Sequence, residues 1–87
     1  MARRLFTVKW TFTVRERGTV LGPGIILGPG EQLRIGDPLE LRRPDGSART
    51  VPVTGMELRP RGPQQEIPVL LRLEKDEAPV GTEVWSK

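Results

Sequence analysis

The chain has 87 residues, 14 Lys plus Arg against 11 Asp plus Glu for a net charge of +3, and no His, Cys or Tyr. A chain this short buries only about 60% of the surface of its unfolded state, so it is one small domain, residues 1–87, with a thin core and no disulfide to support it. Without His or Cys, the usual zinc ligands and the Ser-His-Asp and Cys-His nucleophile systems are excluded, and most familiar enzyme chemistry with them.

From Leu5 to Val14 the residues alternate strictly. Phe6, Val8, Trp10, Phe12 and Val14 fall on one side, and Thr7, Lys9, Thr11 and Thr13 on the other. Period two with aromatic and β-branched residues predicts a strand with one buried and one wet face. This strand is expected to carry much of the core, leaving Trp85 as the one exposed aromatic. Turn signals then recur at short intervals: Gly18, Gly22-Pro23-Gly24, Gly28-Pro29-Gly30, Gly36-Asp37-Pro38, Pro44-Asp45-Gly46-Ser47 and Arg59-Pro60-Arg61-Gly62-Pro63. No interval holds a good helix, and the runs between are apolar and β-branched, so the expectation is an all-β barrel or sandwich of short strands.

Pro44 to Ser47 predicts a hairpin between Leu39-Glu40-Leu41 and Val51-Pro52-Val53. Pro52 lacks a ladder donor, which places its strand at a sheet edge or sets the proline at a non-bonded position. The apolar run Ile67 to Leu73 suits a strand through the middle of a barrel, and Glu83-Val84-Trp85 is the last strand. Glu74-Lys75-Asp76-Glu77 between them reads as a solvated turn.

Chemistry motifs are sparse. The two Gly-Pro-Gly repeats lack the Lys, the Ser or Thr and the following helix that a phosphate loop needs, so they read as turns or bulges. Carboxylates are scattered singly, with no pair spaced for general acid and base work. The expectation is a protein that is not an enzyme and uses no metal or cofactor. For nucleic acid the candidate residues are arginines, 11 against 3 Lys, a bias that genome composition explains equally well. Residues 1–49 hold nine cations and five anions, residues 50–87 five and six, so a polyanion-binding face is expected to draw mainly on the first half. No stretch approaches the roughly 20 apolar residues of a membrane span and no apolar signal core follows Met1, so the expected location is cytoplasmic, away from membranes.

The order of motifs carries further information. Phe12-Thr13-Val14-Arg15-Glu16-Arg17-Gly18-Thr19-Val20, then Gly24-Ile25-Ile26, Leu33 to Leu41, Val53-Thr54-Gly55-Met56-Glu57-Leu58 and Val69-Leu70-Leu71-Arg72-Leu73 occur in register. Together they resemble the second, β-barrel domain of translational GTPases such as elongation factor Tu, over nearly the whole chain from Phe6 to about Trp85. The resemblance implies a small closed Greek-key β-barrel of about six to eight strands. It also implies absence of the GTPase domain, hence no GTP binding by this chain on its own. In that family the barrel contacts ribosomal RNA through an Arg-Gly turn, retained here as Arg17-Gly18 with Arg72 nearby. Lys9-Trp10 replace the acidic pair of the aminoacyl pocket, and Gln64 to Pro68 replace a Gly-rich, Asn-containing stretch. Aminoacyl-tRNA binding is therefore not carried over.

Two functions are thus expected from different classes. The first is a non-catalytic module contacting ribosomal RNA or the ribosome, with Arg15, Arg17, Gly18, Arg72 and Lys75 as the RNA-binding set. The second is a protein-interaction or regulatory module that keeps the barrel as a scaffold, with Pro52, Arg59, Arg61 and Trp85 on its partner-binding surface.

Overall fold

In the computed structural model, which describes residues 2–57 and 66–87, the strands follow the runs between the turn signals above, except that Gly22-Pro23-Gly24 lies inside a strand. The strands are β1 (Arg4–Thr7), β2 (Trp10–Val14), β3 (Gly18–Ile25), β4 (Pro38–Arg42), β5 (Ala48–Met56), β6 (Ile67–Leu71) and β7 (Glu83–Ser86). They form one antiparallel sheet in the order β1-β7-β4-β5-β6-β3-β2, which curls into a half-barrel around its apolar face. Among the described residues the only helical element is a 3-10 turn at Lys75–Glu77, and no helix is long and apolar enough to cross a membrane. The expectation of short all-β strands is met.

Alternation explains the core. Leu21 and Ile25 of β3, Leu39 and Leu41 of β4, Val51 and Val53 of β5, and Val69 and Leu71 of β6 point inward with Val8 and Val84, each at most 3% exposed. Pro44-Asp45-Gly46-Ser47 makes the expected β4–β5 hairpin, closed by the Arg43 N–H to the Ser47 carbonyl at 2.8 Å, with Gly46 at φ +90°. Asp45 accepts from the Ser47 amide at 2.9 Å and its hydroxyl at 2.6 Å, and these bonds hold its carboxyl below the usual range. β6 pairs on both sides, with β3 and β5, and so crosses the middle of the sheet as expected. The first Gly-Pro-Gly is an irregularity inside β3, between Leu21 and Ile25; the second follows as a turn.

The first strand departs from expectation. The run from Leu5 is two strands: β1 pairs with β7 at one end of the sheet and β2 pairs with β3 at the other. Val8 stays with β7, donating to the Thr82 carbonyl at 2.8 Å, whereas the Lys9 N–H bonds the Gly22 carbonyl at 2.8 Å. Trp10 is also the register partner of Gly22, so two consecutive residues oppose one, as in a β-bulge. A one-residue slip moves every later side chain to the other face. Phe6 and Val8 are therefore buried, but Trp10 is 43% and Phe12 64% exposed. Thr11 and Thr13 instead share the face of Leu21 and Thr19, their register partners, with Thr11 half-buried and Thr13 exposed.

The C-terminal strand corrects a second expectation. β7 lies between β1 and β4, and Trp85 is half-buried beneath Arg42, whose guanidinium carbon sits 3.9 Å from the ring centroid. Its indole N–H donates to Glu83 at 2.9 Å, and Arg42 also bonds Glu40 at 2.7 Å. A cation over an indole contributes about 0.5–1 kcal/mol at such a surface. Trp85 thus holds the sheet together rather than standing free.

Two polar groups generate predictions. Thr82 is fully buried and its hydroxyl has no partner among the described residues, whereas the buried Thr19 hydroxyl donates to the Leu73 carbonyl at 2.9 Å. An orphaned buried hydroxyl costs about 1–3 kcal/mol, so Thr82→Val should raise unfolding stability by about 1 kcal/mol in urea titrations. Glu31 accepts from the Arg3 guanidinium and, at 2.6 Å, from the Gly28 amide, and both hold its carboxyl below the usual range. A depressed folded-state pKa adds stability above the unfolded value that is lost as pH falls through the folded one. The stability gap between wild type and Glu31→Gln should therefore be present at neutral pH and close on acidification below the ordinary Glu range.

Candidate functional site

The β2–β3 hairpin reverses through Arg15-Glu16-Arg17, with the Arg17 N–H bonded to the Val14 carbonyl at 3.0 Å. Glu16 takes φ +66°, the turn position that usually selects Gly or Asn. For an L-residue this conformation costs roughly 1–2 kcal/mol. Gly18 follows at φ +130°, where a Cβ would lie 2.1 Å from the Leu71 carbonyl oxygen. Only glycine lets the hairpin base lie this close to β6. That approach sets Arg15 and Arg17 next to Arg72, which directly follows β6.

A concavity of about 590 Å³ results, lined by Thr13 to Thr19, Arg72, Leu73, Glu74 and Glu77. Four of the five residues expected to contact RNA, Arg15, Arg17, Gly18 and Arg72, meet in it. The fifth, Lys75, begins the adjoining 3-10 turn and is exposed. Among the described residues these four cations make no ion pair or side-chain hydrogen bond to one another or to a neighbour. Several first-half cations are already committed: Arg3 to Glu31, Arg4 to Glu83, Arg42 to Glu40 and Arg49 to Glu77. Of the three arginines that line the concavity, Arg15 and Arg17 come from residues 1–49 and Arg72 from residues 50–87.

The concavity is not uniformly positive. Glu16, Glu74 and Glu77 line it beside the three arginines, and Asp76 adjoins it on the turn. Glu77 is occupied, accepting from Arg49 at 2.7 Å and from the Glu74 amide at 3.0 Å. Arg43 holds the Glu77 carbonyl at 2.5 Å, so the turn is fastened to the β4–β5 hairpin. The result is a floor tied by hydrogen bonds, with charges of both signs on the rim that make no ion pair among the described residues, and room for an anion between Arg15, Arg17 and Arg72.

Of the surface expected for a protein partner, Pro52 and Trp85 both fall in interior strands. Pro52 belongs to β5, an interior strand between β4 and β6, where it faces Pro38 and neither nitrogen donates. The edge placement is overturned, while the non-bonded placement of the proline holds. Trp85 is engaged with Arg42 as described, and Arg59 and Arg61 lie outside the described residues. What sequence reasoning missed was the aromatic pair Trp10 and Phe12. Gly22 was its one signal: a Cβ there would lie 2.1 Å from the Trp10 ring, so the indole needs a glycine opposite it.

The turn yields a paired prediction. Glu16→Gly relieves left-handed strain, offset by chain entropy, and should stabilise by about 0.5–1 kcal/mol. Gly18→Ala drives a methyl into the Leu71 backbone and should destabilise by about 3 kcal/mol or more; thermal unfolding measures both. Comparison with known protein families, with curated proteins and with solved structures gave no match for this chain.

Proposed function

We propose that the chain is a non-catalytic module that contacts ribosomal RNA, built on a closed Greek-key barrel of the elongation factor Tu second-domain type. The observation carrying the function is that Arg72, far along the chain from Arg15 and Arg17, lines one concavity with them, all three without ion-pair partners among the described residues. Unpaired guanidinium groups are free to fork onto phosphate oxygens. In support of the closed barrel, the two ends of the sheet are consecutive segments, joined through Val8 and Lys9, which bond Thr82 and Gly22 respectively. The carboxylates on the same rim limit affinity and confine binding to a few phosphates, a contact suited to an accessory module rather than a tight RNA clamp.

Co-sedimentation with ribosomal subunits at low and moderate salt is the test. Three phosphate contacts predict a logarithmic salt slope of about −2 to −3, and Arg17→Ala should reduce its magnitude by about one and weaken association with the small subunit. If wild type and Arg17→Ala both stay in the soluble fraction at low salt, the proposal fails.

A further inference from the structure

The concavity at the turn is balanced in charge by its own lining. Three cations, Arg15, Arg17 and Arg72, stand against three carboxylates, Glu16, Glu74 and Glu77. Lys75 and Asp76, exposed on the adjoining 3-10 turn, cancel each other. The lining alone gives the hollow no preference for an anion, so its sign rests on whichever of the six groups is neutralised from outside. Among the described residues one is: Glu77, whose Oε1 accepts from the Arg49 guanidinium at 2.7 Å. Arg49 belongs to β5 and does not line the concavity. Its charge leaves three cations facing two carboxylates.

The carboxylate is held at both ends. Its second oxygen accepts from the Glu74 amide at 3.0 Å, and Arg43, just after β4, donates to the Glu77 carbonyl at 2.5 Å. Arg43 and Arg49 therefore reach the turn from one hairpin, β4–β5, which has no residue in the lining. The Arg49 and Glu77 side chains are 45% and 36% exposed, and an ion pair so open to water contributes little to folding stability. Its larger effect falls on the surface beside it, because a unit charge acts over a Debye length of about 8 Å in physiological salt. We infer that Arg49 sets the sign of the concavity: by neutralising Glu77 it makes the hollow an anion site, while Arg43 holds the turn in place for that contact. Arg49 is a positioning residue, acting through Glu77. The inference rests on the ribosomal RNA reading, whose phosphate contacts it governs.

Binding of the full chain to purified small ribosomal subunits across a salt series tests it. Arg49→Gln should weaken association about threefold, the Coulomb effect of one charge roughly 7 Å away in water. Its salt slope should match wild type, whereas Arg17→Ala loses about one unit of slope as a phosphate contact. Arg49→Lys keeps the charge and should keep the affinity. Glu77→Gln can still accept from the Glu74 amide; alone it should tighten binding by a similar factor, and in the Arg49→Gln background it should restore wild-type affinity. Arg3→Gln removes an equal charge from the exposed Arg3–Glu31 pair, outside the concavity, and should bind as wild type does. Circular dichroism checks that each variant folds. If Arg49→Gln does not, Glu77→Gln decides: tightening supports the inference and unchanged affinity overturns it. Wild-type affinity in Arg49→Gln, an equal loss in Arg3→Gln, no rescue by Glu77→Gln, or a slope reduced as in Arg17→Ala overturns the inference and leaves the ribosomal RNA reading standing. Wild type and Arg17→Ala both remaining in the soluble fraction at low salt overturns the two together.

Discussion

Two residues set against one glycine govern this molecule. Lys9 donates to the Gly22 carbonyl while Trp10 is Gly22's register partner, so the chain from Arg4 to Val14 changes both its partner strand and the face it presents. Before the bulge, Phe6 and Val8 fill the core beside β7; after it, Trp10 and Phe12 face outward beside β3. The same irregularity lets one continuous segment serve both ends of a curled sheet. For a domain this small, with no disulfide, that economy matters, because the core has few side chains to lose.

Electrostatics are organised by what the sheet leaves over. Cross-strand and loop neighbours neutralise Arg3, Arg4, Arg42 and Arg49, and the Arg42–Trp85 contact adds lateral cohesion to β4 and β7. Among the cations without ion pairs in the described residues, Arg15, Arg17 and Arg72 gather where β2, β3 and the end of β6 converge, held there by the close approach of Gly18 to Leu71. A positive-φ Glu16 between two arginines stores modest strain at this turn. Strained backbone persists where the surroundings over-determine it, here through the hairpin and the β6 contact.

Two neighbouring surfaces differ in the physics they offer. The concavity at the turn is polar and of mixed sign, which suits a few directional contacts to an anion. The groove beside Val20, Met56 and Leu70 is largely apolar. Arg17 lines both. A fold of this kind hosts unrelated functions, and the choice between them lies in these side chains rather than in the sheet.

Composition and periodicity alone determined that this is an all-β chain with a hairpin at Pro44 to Ser47 and a central strand within the run Ile67 to Leu73, because turn chemistry and alternation are local. The gathering of Arg15, Arg17 and Arg72 was legible through the order of motifs, although the carboxylates sharing their rim sit on the same short segments. Only the tertiary structure decided which face of β2 is buried, since a bulge adds a single residue to the ladder and leaves the alternation of the sequence intact. It alone decided which arginines are free, because ion pairing depends on which strands the curl makes neighbours. It also placed Pro52 opposite Pro38 and Trp85 beneath Arg42, both in interior strands, since strand order is a property of the whole sheet.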